Sequence, residues 1–271
     1  MGSAAIGPRA AGKGLRRSTP PRRRRWSVAP RIVRESIGST QSHAVAEVRR
    51  GAPPGSRVVA RRQSDGAGRG SHRWASPPGG LYLSEVRAAP DAGTSLLPIS
   101  VGVELAQTLA VRYGVHSLVK WPNDLLVLRG RSPRKLSGIL CDAVAAPWGP
   151  AVVVGVGLNV SASASDFPLE LRRHVVGLSE ILGTAPDLDE LEGLVVTAID
   201  RAVRAVAHEP GRNRVLRLAR ESLYGLGRRA SIDGQPVGVI RGLDDEGALL
   251  VGNGFTDVVV RTGGLAIEEA P

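Results

Sequence analysis

Only three of the 36 basic residues in this 271-residue chain are lysines: Lys13, Lys120 and Lys135. Two of them stand in one segment, "KWPNDLLVLRGRSPRKLSGIL", running from Lys120 to Leu140. Lysine offers a compact, strongly hydrated point charge, whereas arginine offers a wide planar fork. Two ammonium groups here point to positions where a guanidinium would not fit. Beside the first, Asn123 and Asp124 carry oxygens suited to Mg²⁺ or to a nucleotide hydroxyl. The same Pro122-Asn123-Asp124 run is also ordinary turn chemistry, so spacing alone leaves both readings open.

Three upstream and downstream stretches add polar groups. In "GAGRG", Gly66, Gly68 and Gly70 surround Arg69. Closely spaced glycines let backbone N–H groups approach an anion, and an arginine among them recognises paired oxygens. The pattern is neither a Walker loop nor a GxGxxG opening a helix, so a plain flexible loop is the alternative. Ser39, Thr40 and Gln41 can hydrogen-bond a neutral ureido or amide group, though Ser39 or Thr40 equally suits a helix N-cap. "GVGLN", ending at Asn159, brings small polar groups to the end of a strand.

The elements that must position these groups follow from the apolar pattern. "SRVVARRQS", "LYLSEVRAA", "SLVKWP", "DLLVLRG" and "KLSGILCDAV" read as strands, and "PAVVVGVGLNV" as a strand buried on both faces. A helix follows Ser39 and ends at Gly51, a second spans "LPISVGVELAQTLAVRYG", and a third covers 188–208. After "EPGRN" the pattern changes to short β-rich pieces separated by Asp-Gly, Asp-Glu-Gly and Gly-Asn-Gly, which predict a small antiparallel barrel.

Composition excludes several classes. The single cysteine, Cys141, rules out an internal disulfide framework, and five scattered histidines lack zinc-ligand spacing. No uninterrupted apolar run approaches the roughly 20 residues of a membrane span, and the N-terminus lacks a secretory apolar region. A soluble, cytoplasmic setting is expected. The net charge of +11 suggests nucleic acid until it is located. Residues 1–34 hold ten basic residues and no acidic one, so the body is near neutral. This tail is either a polyanion-binding arm or a solvated extension, and has no room for a helix-turn-helix, so specific DNA binding is not expected.

Taken in order, "STQ", "QSDGAGRGSHRW", "KWPNDLLV", "RKLSGIL" and "VVVGVGLNV", followed by a β-rich tail, resemble the biotin–protein ligase family. The resemblance is strong over 31–165 and looser over 215–271. It implies an α/β (α+β) fold: a class II aminoacyl-tRNA synthetase-like mixed-sheet catalytic domain (31–210), with a small SH3-like C-terminal domain (215–271). Residues 1–30 would be a disordered basic extension. The implied reaction makes biotinyl-5′-AMP from biotin, ATP and Mg²⁺, then transfers biotin to a lysine of a biotin carboxyl carrier protein; the resemblance also allows a homodimer. By likeness, Ser39, Thr40, Gln41, Gln63, Gly66, Gly68, Arg69, Lys135 and Gly138 would bind biotin. Arg69, Trp74, Lys120, Asn123, Asp124, Lys135 and Asn159 would bind the nucleotide, and Lys135, Arg69 and Asp124 would be catalytic. Mg²⁺ would arrive with ATP, its protein ligands left open. Lipoate or octanoate ligation on the same fold, and a non-catalytic polyanion binder, are the competing readings. Two departures stand out: the family loop is commonly GRGRxGR where this chain has "GAGRGSH", and Gln41 replaces an asparagine. The first predicts weaker adenylate retention or another route to loop ordering.

Overall fold

The computed structural model describes residues 28–252 and 256–268; nearly all of the expected basic extension, residues 1–27, lies outside them. A seven-stranded sheet forms the body, built from β1 (Arg31–Arg34), β2 (Arg57–Ala60), β3 (Gly80–Ala88), β4 (Leu118–Lys120), β5 (Asp124–Arg129), β6 (Ser132–Ala146) and β7 (Gly149–Asn159). Its order is β1-β2-β3-β7-β6-β5-β4, with β1 and β2 parallel and the other neighbours antiparallel, so the sheet is mixed.

The alternation along β7 decides what covers each face. Val152, Val154, Val156 and Leu158 enter a core with α2 (Leu97–Tyr113) and α4 (Leu188–Val206). Val153 packs on the other face with Ala44 and Val48 of α1 (Thr40–Arg49). Both faces are thus covered, which explains the near-continuous apolar run. Ser39 caps α1 by accepting from Ser42 N at 3.3 Å, and Gly114, at φ +67°, closes α2. The helix Thr94–Tyr113 is long and apolar enough to cross a membrane by length and composition, which corrects the expectation that no apolar run approaches that length; 61% of its 18-residue apolar stretch is buried inside the protein, as befits a core helix.

Two helices escaped the sequence reading, the short α3 (Leu178–Leu182) and α5 (Glu209–Glu221). The latter begins within "EPGRN", read above as the end of the helical region. Pro210 sits in its first turn, where the missing N–H costs nothing. Val215, Leu216 and Ala219 of α5 join the core of α2 and α4, so the expected boundary at 215 falls inside a helix.

Beyond it, β8 (Arg229–Ile232), β9 (Gln235–Leu243), β10 (Leu249–Gly252), β11 (Asp257–Val260) and β12 (Leu265–Ile267) form an antiparallel sheet ordered β11-β10-β9-β8-β12. Ile240, Leu243, Leu249 and Val251 continue the same apolar core. Trp121, 2% exposed, donates from Nε1 to Gly247 O at 3.0 Å and ties the turn before β5 to this sheet.

On the face covered by α2 and α4, two buried carboxylates, Glu85 and Glu192, anchor a charge network. Arg87 pairs with Glu85 at 2.8 Å and Asp200 at 3.1 Å, while Glu192 holds Arg31 and Arg57 at 2.7 and 3.0 Å. Burial pushes the Glu85 carboxyl up to about 7, against the opposing pull of Arg87 and Arg57.

Candidate active site

The face that carries α1 opens into a cavity of about 580 Å³ above the middle of the sheet. Its floor is a row of cross-strand partners: Lys120 opposite Asp124, Asp124 opposite Gly138, Gly138 opposite Gly157, and Gly157 opposite Tyr82. In a pleated sheet, direct partners project from the same face, so pairing register brings these residues together. The neighbouring row holds Leu140, Gly155 and Ser84.

Glycines keep that floor bare. A Cβ at Gly157 would fall 2.5 Å from the Trp74 ring, and one at Gly138 would fall 2.6 Å from it. Trp74 therefore lies flat across both strands. Lys135 Nζ sits 4.8 Å from the indole centroid and 2.8 Å from Asp124 Oδ1. The latter is a close ion pair lying off the hydrogen-bonding direction, since Oδ1 has no aligned donor among the described residues. Burial lowers the Lys120 pKa; Asp124 opposes that shift and Lys135 adds to it. One carboxylate thus lies between two ammonium groups, leaving an excess positive charge at this end.

The opposite end is neutral and polar. Thr40 donates from N (2.7 Å) and Oγ1 (3.0 Å) to Gln63 Oε1, and Gln63 Nε2 donates to Ser76 Oγ at 2.8 Å. Ser39 caps α1 beside them. The glycine-rich loop contributes Ala67 to Trp74 as a roof, with Gly68 N donating to His72 O at 2.9 Å. Arg69 reaches into the C-terminal sheet, donating to Gly263 O at 3.3 Å and Thr262 Oγ1 at 3.2 Å. Asp233 and Thr262–Leu265 complete that wall.

Part of this chain matches the Biotin/lipoate A/B protein ligase family over residues 34–159. It is 30% identical over 227 residues to the bifunctional ligase/repressor BirA of Bacillus spizizenii, covering 81% of this chain and 68% of that protein. The chain belongs to the biotin protein ligase family. It is also 28% identical over 238 residues to the biotin–[acetyl-CoA-carboxylase] ligase of Mycobacterium tuberculosis, covering 83% of this chain and 84% of that one. The biotin protein ligase of Aquifex aeolicus in complex with biotin and ATP superposes with a TM-score of 0.74, over 89% of this chain and 99% of that one. At 22% identity, that likeness is one of fold.

Within this ligase, most expected residues converge: Ser39, Thr40, Gln41, Gln63, Gly68, Arg69, Trp74, Lys120, Asn123, Asp124, Lys135 and Gly138 all line the cavity. Two expected residues do not. Gly66 closes the base of the loop, its carbonyl accepting from Trp74 N at 2.8 Å. Asn159, 1% exposed, donates to Lys135 O at 3.1 Å and supports the strand below the site. Besides Thr40, Gln63 and Arg69, two more lining residues are engaged by protein. Asn123 Nδ2 donates to Ile139 O at 2.8 Å, while Gln41 bonds Asp142, Val153 and Ser84.

Sequence reasoning missed Tyr82, Ser84, Gly155, Gly157 and the C-terminal wall. The two glycines were detectable, because alternate glycines in "VVVGVGLN" bare one face of a buried strand. Among the described residues, no group of three His, Cys, Asp or Glu is placed to hold a metal. A Mg²⁺ carried in by nucleotide phosphates would meet two carboxylates on the cavity lining, Asp124 and Asp233.

Proposed function

We infer that the chain is an ATP-dependent biotin–protein ligase, which activates biotin as biotinyl-5′-AMP and transfers it to a lysine of a biotin carboxyl carrier protein. The observation that carries this reading is the cavity itself. A neutral hydrogen-bonding end at Thr40 and Gln63 and a cationic end at Lys120 and Lys135 share one glycine floor. A molecule that is polar and neutral at its head and anionic at its tail matches that polarity.

Adenylation brings a carboxylate against an α-phosphate, and the two repel. Lys135, with Arg69 on the roof, neutralises both and stabilises charge building on the pentacoordinate phosphorus. The new bond joins a carboxylate oxygen to phosphorus, and the bond to the bridging oxygen breaks to release pyrophosphate. When bound with ATP, Mg²⁺ supplies neutralisation of that leaving group. In the second step the carrier's amine attacks the acyl carbon and AMP leaves with the bonding electrons. Asp124 orients or deprotonates that amine. Trp74 serves the adenine side, and the roof excludes water from the mixed anhydride. The contact of Arg69 with Thr262 and Gly263 supports the expected second route to loop ordering, in a loop that has Ala67 and His72 where the family has arginines.

The mixed sheet with its helices corresponds to the class II synthetase-like catalytic domain, and 229–267 to the SH3-like domain. A cytoplasmic enzyme, a homodimer and the lack of specific DNA recognition belong to the same proposal. The test is incubation with biotin, MgATP and a carrier domain, comparing wild type with Lys135→Ala. The variant is expected to lose about 10²–10³ in kcat. A wild type that transfers no biotin overturns the reading.

A further inference from the structure

The neutral end of the cavity is wired in one direction. Gln41, 4% exposed, donates from Nε2 to Asp142 Oδ2 at 2.8 Å and to Val153 O at 3.0 Å. A carboxylate and a carbonyl only accept, so these two bonds fix which way the amide points. Its Oε1 is left facing Ser84 Oγ at 2.9 Å. Ser84, 1% exposed, also stands 3.0 Å from Thr40 Oγ1. A serine hydroxyl has one proton, and an amide oxygen can only accept. The Ser84 proton therefore goes to Gln41, not to Thr40.

A second chain meets this one at the same residue. Ser76 Oγ donates to Trp74 O at 3.1 Å and so accepts from Gln63 Nε2, which leaves Gln63 Oε1 as the acceptor toward Thr40. Thr40 N already serves that acceptor, so the Thr40 proton is shared between Gln63 Oε1 and Ser84 Oγ; Thr40 Oγ1 lies within donating reach of Ser84, but with the Ser84 proton held by Gln41 no proton points at it. Thr40 lines the cavity, and the Gln41 amide and Ser84 hydroxyl lie over Gly155 next to it in the chain of contacts.

We propose that Asp142, Gln41 and Ser84 are positioning residues that keep Thr40 Oγ1 open as a hydrogen-bond acceptor, and thereby select an acid whose head group offers an N–H. The proposal rests on the biotin reading of this end of the cavity and specifies how the site tells a ureido head from an apolar one. A site built around a polar partner rejects an analogue that lacks it, because its own buried group is then left unpaired. Gln41 thus acts through Thr40 without touching the substrate, and its extra methylene relative to asparagine is what spans to Asp142.

The wiring makes an unusual genetic prediction. In Gln41→Met the Ser84 proton is released and turns to Thr40, where it competes with the ligand's N–H. Kd for biotin, by calorimetry on the full chain, is expected to rise about five- to tenfold, while binding of octanoate, which has no N–H, stays within about twofold. Adding Ser84→Ala to Gln41→Met removes the competing proton and restores most of the biotin affinity. A merely structural role predicts the opposite, further loss in the double variant. Gln41→Asn weakens biotin in the same way, and Gln41→Asn with Asp142→Glu recovers it by returning the missing length; this pair serves if Gln41→Met does not fold. Wild type that binds biotin, with an unchanged Kd in Gln41→Met or no recovery in both double variants, overturns this inference alone. Wild type that does not bind biotin overturns the functional reading as well.

Discussion

Gly157→Ala puts one methyl group beneath Trp74 and tests whether the glycine floor sets the position of Lys135, proposed above as the catalytic lysine. The new Cβ would lie 2.5 Å from both Cε2 and Nε1 of the indole. Ordinary carbon contacts are about 3.5–4.0 Å, so the ring must lift by roughly 1 Å. Gly157 is not among the residues at positive φ, so the strand accepts alanine and the cost falls on the ring. Overpacking of this kind costs about 1–3 kcal/mol, and each kcal/mol lowers Tm by roughly 2–4 °C in a chain of this size. Lys135 Nζ is 4.8 Å from the same ring, an attraction of about 0.5–2 kcal/mol, and moves with it. A displacement of about 1 Å at a reacting group costs up to about 10² in rate. In steady-state carrier biotinylation, kcat for Gly157→Ala is therefore expected to fall roughly 10- to 100-fold. Two controls locate the cause. Gly155→Ala meets Gln41 Oε1 at 2.5 Å instead, so it raises KM for biotin and largely spares kcat. In a Trp74→Ala background the three closest collisions of Gly157→Ala are removed, and its effect on kcat is expected to vanish. Wild-type kcat in Gly157→Ala, or an undiminished loss in that background, refutes the reasoning.

Glu85→Gln reports on the buried charge network. A carboxyl raised to about 7 from an ordinary 4.5 holds its proton more tightly folded than unfolded. Its stabilising contribution is complete below about pH 4.5 and is lost as pH rises to about 7. Denaturant titrations at pH 5 and pH 8 should show a stability difference smaller in the variant by on the order of 3 kcal/mol; an unaltered difference counts against the shift. Trp121→Phe removes the donor to Gly247 O and leaves a buried carbonyl unpaired, for a loss of about 1–3 kcal/mol measured by the same titrations. Stability equal to wild type would show that water or a shifted backbone takes over that carbonyl.

The alternation of apolar residues exposed most of the large sheet, and the glycine, lysine and Ser-Thr-Gln stretches marked most of the cavity. What stayed hidden depends on pairing between distant segments. Glu85 and Arg87 carry no local mark of their pairing, because nothing in the strand announces that Asp200 of α4 will lie against Arg87. The start of α5 was masked by Pro210 and Gly211, which break helices in the interior but are tolerated in a first turn. The roles of Ser84 and Asp142 are set by register: Ser84 lies opposite Gly155, and Asp142 opposite Val153. Thr262 and Gly263 have no chemical mark of their own and enter the site only through the fold.

The reach of Arg69 to Thr262 and Gly263 spans 193 and 194 positions of chain. During synthesis the sheet floor, both lysines and the loop emerge long before the residues that hold the loop's arginine. A nascent chain stopped short of residue 262 would own every reacting group and still lack the anchor of its roof. On the roles proposed above, containment of the reactive anhydride is thereby tied to the last residues of the chain to be placed.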